Sequence, residues 1–206
     1  MSDLILVRHG ESEWNKLGIW TGLIDIGLSK KGIEEAKLAG EKLKGFAIDL
    51  TYTSVLLRAK QTLDEIKTVL KLQNILTIES PSLNERDYGI FTGKNKWEIQ
   101  KEVGKEKFKQ LRRGWNSPIP EGETLKDVYN RVVPYYQNEI LPKLIEGKNV
   151  LIVAHGNSLR ALVKYLENVS DKEVEKLEIA TGEIYIYSLD EQGGIASREI
   201  KSTKND

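Results

Sequence analysis

The chain of 206 residues has no cysteine, which excludes disulfides, thiolate nucleophiles and zinc–thiolate centres. It has no excess of charge: 31 acidic residues balance 31 basic ones. Neither a nucleic-acid footprint nor a polybasic membrane patch stands in those totals. No apolar run approaches the ~20 residues that a membrane-spanning helix needs. Met1-Ser2-Asp3 leads straight into an apolar segment, without the charged and apolar regions of an export signal. The expectation is a cytoplasmic protein with no nucleic-acid and no membrane partner. Histidine is nearly absent too, since there are only two.

Both histidines close an apolar, strand-like run and are followed at once by glycine. His9 ends Leu4-Ile5-Leu6-Val7-Arg8 and precedes Gly10, and His155 ends Val150-Leu151-Ile152-Val153-Ala154 and precedes Gly156. Either one alone reads as a satisfied core histidine. Repetition of the arrangement favours a shared site, because ligands of α/β proteins bind at the carboxyl ends of buried strands.

Strand patterns at 3–8, 49–53, 75–79, 149–154 and 184–188 alternate with helical ones. This predicts an α/β fold with a mainly parallel central sheet flanked by helices, in one domain over 1–206. A first helix starts after Ser29, a capping residue, with Leu28 and Ile33 spaced as a hydrophobic staple. A second, over 55–71, carries Arg58 in its first turn. The clearest helical period runs from Leu125 to Ile140, and Pro134 is expected to kink rather than end it. Ser170 with Glu173 predicts a capping box opening a short helix near 171–177. The polar tail over 193–206 reads as mobile. Stretches 10–28 and 80–123 fit no simple period, yet hold all four tryptophans, read here as packing anchors.

Arginine is sparse: of the eight, Arg8, Arg58, Arg86, Arg112 and Arg113 fall in the segments read here as forming the site. Its planar fork suits phosphate oxygens bidentately. A neutral imidazole can attack phosphorus and carry the phosphoryl group covalently, and such transfer depends on positioning and on cationic donors. Arg8 beside His9 supplies one donor, and Gly10 lets the backbone pass close to a ligand. His155-Gly156-Asn157-Ser158 opens an apparent helix, whose N-terminal N–H groups suit an anion. Glu85 reads either as a cap or ion-pair partner of Arg86 or as an acid–base group. Arg112 and Arg113 read either as a solvated helix end or as anion ligands.

Taken together, Leu6 to Asn15 (LVRHGESEWN), Thr21-Gly22, Thr53-Ser54 with Arg58-Ala59, Leu83-Asn84-Glu85-Arg86 with Tyr88-Gly89, Asn95-Lys96, Arg112-Arg113 and Ala154 to Arg160 (AHGNSLR) resemble the histidine phosphatase superfamily. Within it they resemble the 2,3-bisphosphoglycerate-dependent phosphoglycerate mutases. The resemblance extends over nearly the whole chain and implies the three-layer mutase-like fold. It also implies interconversion of 3- and 2-phosphoglycerate through a phosphohistidine, in glycolysis and gluconeogenesis. It makes His9 the phosphorylated residue, with Arg8, Arg58 and His155 around the phosphoryl group and Asn15, Gly156 and Asn157 assisting. Glu85 becomes the general acid and base, its pKa raised toward neutrality by partial enclosure. Thr21, Gly22, Arg86, Tyr88, Lys96, Arg112 and Arg113 become the ligands of the substrate's carboxylate and second phosphate. The implied cofactor is 2,3-bisphosphoglycerate as phosphorylating primer, with no metal. The implied partners are small phosphoglycerates, for a monomer or homodimer.

Two features depart from the pattern. Asp87 stands where these mutases usually have histidine, which puts a carboxylate beside an anion site. The link from Gly114 to Thr124 lacks the insertion of a few tens of residues that typical mutases carry, a shortness more like the superfamily's phosphatases. The alternative activity is therefore a phosphomonoester phosphatase using the same His9 with water as acceptor. Arg160 reads as the partner of a structural carboxylate.

Overall fold

A computed structural model describes residues 1–203. Strands β1 (Ser2–Arg8), β2 (Leu50–Thr53), β3 (Thr77–Glu79), β4 (Val150–Ala154), β5 (Ile184–Leu189) and β6 (Ile195–Lys201) form one sheet in the order β3-β2-β4-β1-β5-β6. The first four run parallel, and β5 turns back antiparallel to both β1 and β6. The sheet is thus mixed, with a parallel half that ends at the site.

The central strands read as unbroken apolar runs because both faces are covered. Every residue of β4 is buried. Leu4 and Leu6 of β1 point into one core cluster while Ile5 and Val7 point into the other, as a period of two requires. On one side lie α2 (Lys30–Lys42) and α3 (Leu57–Leu70), contributing Ala39, Leu43, Leu63 and Ile66. On the other lie α6 (Leu125–Tyr135) and α8 (Gly156–Leu166), contributing Val128, Val132, Leu159 and Leu162. Each such side chain is worth about 1.5–3 kcal/mol when fully buried.

The expected elements appear within a few residues of their predicted bounds. Ser29 caps α2 by accepting from the Gly32 N–H at 3.1 Å. Pro134 does not end its helix: α6 runs through it, passes into a π turn at Tyr136–Ile140, then continues as α7 (Leu141–Ile145). Proline at 134 and 142 removes two helical donors on either side of that turn. Ser170 does bind the Glu173 N–H, but the predicted helix shortens to a single 3₁₀ turn at Glu173–Glu175.

Half of the tail expected to be mobile is a strand. Residues 195–201 form β6, paired to β5 in register from Ile184↔Lys201 to Ser188↔Ser197. Positions 204–206 of that expectation lie outside the described residues.

The irregular stretches are organised by a third apolar cluster. The short helix α1 (Glu13–Lys16) leads to Trp20, which packs with Ile99 of α4 (Lys96–Val103) and Phe108 of α5 (Lys105–Arg113). Trp20 meets Tyr88 edge-on, with ring centroids 4.3 Å apart. Among the described residues no helix is long and apolar enough to cross a membrane.

Candidate active site

Parallel pairing of β1 with β4 brings both histidines to the same sheet edge. Arg8 registers with Ala154, and the His9 N–H donates to the Ala154 carbonyl at 2.9 Å. The two imidazoles stand 4.9 Å apart between centroids, inclined at 60°, and both are buried.

His9 Nδ1 lies 2.7 Å from the Gly10 carbonyl oxygen. A carbonyl only accepts, so Nδ1 carries the proton and Nε2 keeps its lone pair. Burial, then the Arg58 and Arg8 guanidiniums, hold His9 well below the ordinary histidine range. His155 is lowered likewise, by burial first and then by Arg58, His9 and Arg8. Both rings are therefore neutral at pH 7, the form in which imidazole attacks phosphorus. Ser54 Oγ fixes the second ring, 2.7 Å from His155 Nε2.

Gly10 owes its identity to another contact than the one expected. A Cβ there would run into the backbone of Gly32 in α2, so glycine serves helix–strand packing. Gly156 makes room for a site side chain. A Cβ at that position would sit 3.3 Å from Cζ of Arg8, and its absence lets that guanidinium lie over the start of α8.

Thirteen of the fifteen expected site residues line one cavity of about 90 Å³. Arg8, His9, Arg58, Gly156 and Asn157 line it with Asn15, Thr21, Gly22, Glu85 and Tyr88, and a second group of cations, Lys96, Arg112 and Arg113, completes the wall. Arg58 reaches in from the first turn of α3, steadied by the Ile24 and Gly22 carbonyls at 3.0 and 2.8 Å. Glu85 Oε1 accepts three N–H bonds: its neighbour Arg86 N at 2.7 Å, Asn157 N at 3.2 Å and Asn157 Nδ2 at 3.0 Å. Oε2 takes none of these. In the second group of cations, burial first, then Arg112 and Arg8, push Lys96 down to about 8.

Two expected residues lie outside the lining. His155 sits behind His9. Arg86 is a correction: fully buried, it gives its guanidinium to the carbonyls of Glu123, Leu111 and Ser117. It clamps the short link and does not face the cavity. Asp87 also points away from the anion site, its carboxylate accepting from the Gly89 N–H at 2.9 Å.

Four lining residues escaped the sequence reading: Trp20, Arg160, Glu178 and Ile179. Among the described residues Arg160 has no carboxylate partner. It donates to Asn157 Oδ1 at 2.9 Å and to the Arg113 and Val174 carbonyls, tying Asn157 to Arg113. Its place one helical turn after Asn157 was the available signal. Trp20 is a packing anchor and a lining residue at once. Arg131 was missed as well. It binds the Ser82, Asn84 and Glu85 carbonyls and pairs with Glu123 at 2.8 Å, holding the Glu85 backbone in place.

Among the described residues, four buried polar groups on lining residues have no hydrogen-bond partner: Arg8 Nε, Trp20 Nε1, Thr21 Oγ1 and Arg160 Nε. Buried donors are costly unless paired. Among the described residues no group of three or more His, Cys, Asp or Glu side chains comes together as a metal site.

A family profile described as the histidine phosphatase superfamily (branch 1) matches residues 4–200. A 2,3-bisphosphoglycerate-dependent phosphoglycerate mutase of Chelativorans sp. is 50% identical over 199 residues, covering 96% of this chain and 97% of its own. A phosphoglycerate mutase of Schizosaccharomyces pombe is 47% identical over 199 residues, covering 96% and 94%. Alignments of 199 residues against 96% of this chain leave no room for an insertion of a few tens of residues. The expectation that a short link speaks for a phosphatase is thereby corrected, since relatives with the mutase name share it. Among solved structures, Bacillus stearothermophilus YhfR superposes with a TM-score of 0.83 at 26% identity, covering 95% of this chain and 94% of that one. Phosphoserine phosphatase of Entamoeba histolytica, in complex with 3-phosphoglyceric acid, gives 0.77 at 24%, covering 98% and 99%. The latter likeness speaks for the fold alone.

Proposed function

The chain belongs to the histidine phosphatase superfamily, branch 1, and to its 2,3-bisphosphoglycerate-dependent phosphoglycerate mutases, and on that premise we propose how its residues divide the work. His9 Nε2 carries the phosphoryl group between the two hydroxyl oxygens of glycerate. What supports this best is the second group of cations, Lys96, Arg112 and Arg113, in the same cavity as His9. A phosphatase acting on a single phosphate has no use for a second cationic cluster, whereas a phosphorylated acid that must be held at its other end does.

In this reading the Nε2 lone pair, exposed by the Nδ1–Gly10 bond, forms the bond to phosphorus. Arg8, Arg58 and the Gly156 N–H group, at a helix N-terminus, stabilise the negative oxygens during transfer. Glu85 Oε2 takes the proton of the glycerate hydroxyl as the phosphoryl leaves His9 for that oxygen. After the bound ester reorients, His9 takes the phosphoryl from the other oxygen and Glu85 returns the proton, so charge and protons balance over the cycle. When bound, 2,3-bisphosphoglycerate supplies the phosphoryl group that primes His9. The four unpartnered polar groups and the second group of cations fit such a doubly phosphorylated acid. A reaction on small phosphorylated acids supports a cytoplasmic setting.

The test is to incubate the protein with 3-phosphoglycerate, with and without 2,3-bisphosphoglycerate, and to measure 2-phosphoglycerate against free phosphate. Primer-stimulated isomerisation with little phosphate is expected. Phosphate as the main product would turn the reading to a phosphatase with the same nucleophile. His9→Ala is expected to abolish turnover, and surviving activity would refute the phosphohistidine.

A further inference from the structure

One carboxylate stands inside the cationic wall. Glu178 lines the cavity beside Arg112 and Arg113, and its Oε1 lies 2.5 Å from an Arg113 guanidinium nitrogen. The loop that carries it is pinned on both sides of Glu178 by site arginines. Arg113 donates to the Leu177 carbonyl at 3.2 Å, and Arg8 donates to the Ile179 carbonyl at 2.5 Å. The Glu178 side chain itself is 65% exposed. An ion pair so open to water contributes little to stability, so the carboxylate can give up Arg113 at small cost when another anion arrives.

We propose that Glu178 is a specificity-determining residue that occupies the distal anion subsite in place of ligand and competes with it for Arg113. The proposal deepens the mutase reading and rests on it. Neutralising one positive charge of the cationic wall weakens the hold on the distal end of the ligand. The phosphoryl end, on Arg8, Arg58 and the start of α8, keeps its donors. The penalty falls most on the ligand with most charge, the bisphosphorylated one, and so favours its release over retention. Partial burial raises the Glu178 carboxyl, and contact with Arg113, aided by Arg112 and Arg8, outweighs it and keeps the group ionised.

Glu178→Gln keeps the shape and removes the charge. Its KM for 3-phosphoglycerate is expected to fall about two- to fivefold, the range set by an exposed ion pair. The half-saturating 2,3-bisphosphoglycerate concentration should fall further, with kcat within about twofold of the parent and the gain shrinking as salt is added. Orthovanadate, a probe of the phosphoryl end, should shift less than 3-phosphoglycerate does. Glu175→Gln is the control, since Glu175 lines the adjoining groove but not this cavity; it should change KM little. An unchanged or raised KM in Glu178→Gln, or an equal fall in Glu175→Gln, would overturn the proposal. Calorimetric binding of 3-phosphoglycerate to parent and variant reads the same shift without turnover. A parent enzyme that makes no 2-phosphoglycerate therefore counts against the mutase reading and not against Glu178.

Discussion

Asn157 grips Glu85 with both its nitrogens, the backbone N–H at 3.2 Å and the side-chain Nδ2 at 3.0 Å, and both bonds end on the same carboxylate oxygen. The same amide donates to Tyr88 OH at 2.8 Å and accepts from Arg160 at 2.9 Å. One side chain at the start of α8 thus orients the proposed acid–base group from the strand edge that delivers the nucleophile's neighbour.

That arrangement makes Asn157→Asp an informative change. It is nearly isosteric, yet it sets a carboxylate oxygen against Glu85 where a donor stood. Two carboxylates at such a distance cannot both ionise easily, so the pair binds a proton at higher pH. The acid limb of the kcat profile should move up by at least about one pH unit, with kcat at pH 7 reduced at least about tenfold. A profile that superimposes on the parent's would show that Glu85 takes no part in proton transfer.

Lys96 yields a second expectation, on binding. With its group pushed down to about 8 by burial, Arg112 and Arg8, the ammonium form is lost as the pH rises through that value. A ligand anion holds the proton on, so affinity is full below pH 8 and declines above it. The KM for 3-phosphoglycerate should rise above pH 8, and Lys96→Gln should abolish that break while raising KM at neutral pH. A break that persists in the variant would assign the titration elsewhere.

Third, the two buried histidines link stability to pH. Both are held well below 6.5 in the folded chain, while the unfolded chain titrates near that value. Below about pH 6.5 the unfolded state therefore binds more protons. Stability is fully present above that pH and is lost as it falls toward the folded-state values, by up to about 1.4 kcal/mol per pH unit for each histidine. The urea midpoint should fall between pH 7 and pH 5, and less so in His155→Gln, which lacks one of the two linked groups. Parallel curves for parent and variant would place the pH dependence outside His155.

How far the site could be read in advance varied by residue. His9 and His155 were legible because buried strands in a parallel sheet end at one edge, and each strand's apolar run names its last residue. Arg58 was legible from its place in the first turn of α3. The strand β6 was missed because Ile195–Lys201 is almost wholly exposed, so no apolar alternation marks it. Its order comes from the β5 ladder, together with the Arg198–Glu167 pair at 2.7 Å. Arg86 was assigned to the ligand because it adjoins Glu85. Its direction depends on the carbonyls of Leu111, Ser117 and Glu123, which lie 25 to 37 positions along the chain and leave no local trace.

By itself the sequence determined five of the six strands, the long helices that flank them, the Ser29 cap, and the two imidazoles with their adjoining glycines. Those come from period, capping chemistry and covalent neighbourhood, all local properties. Only the tertiary structure decided which guanidiniums face the cavity and which turn inward, and that Glu178 shares a wall with Arg113. Long, flexible, charged side chains take their direction from whichever partner atoms packing brings within reach, and packing is set by the whole chain.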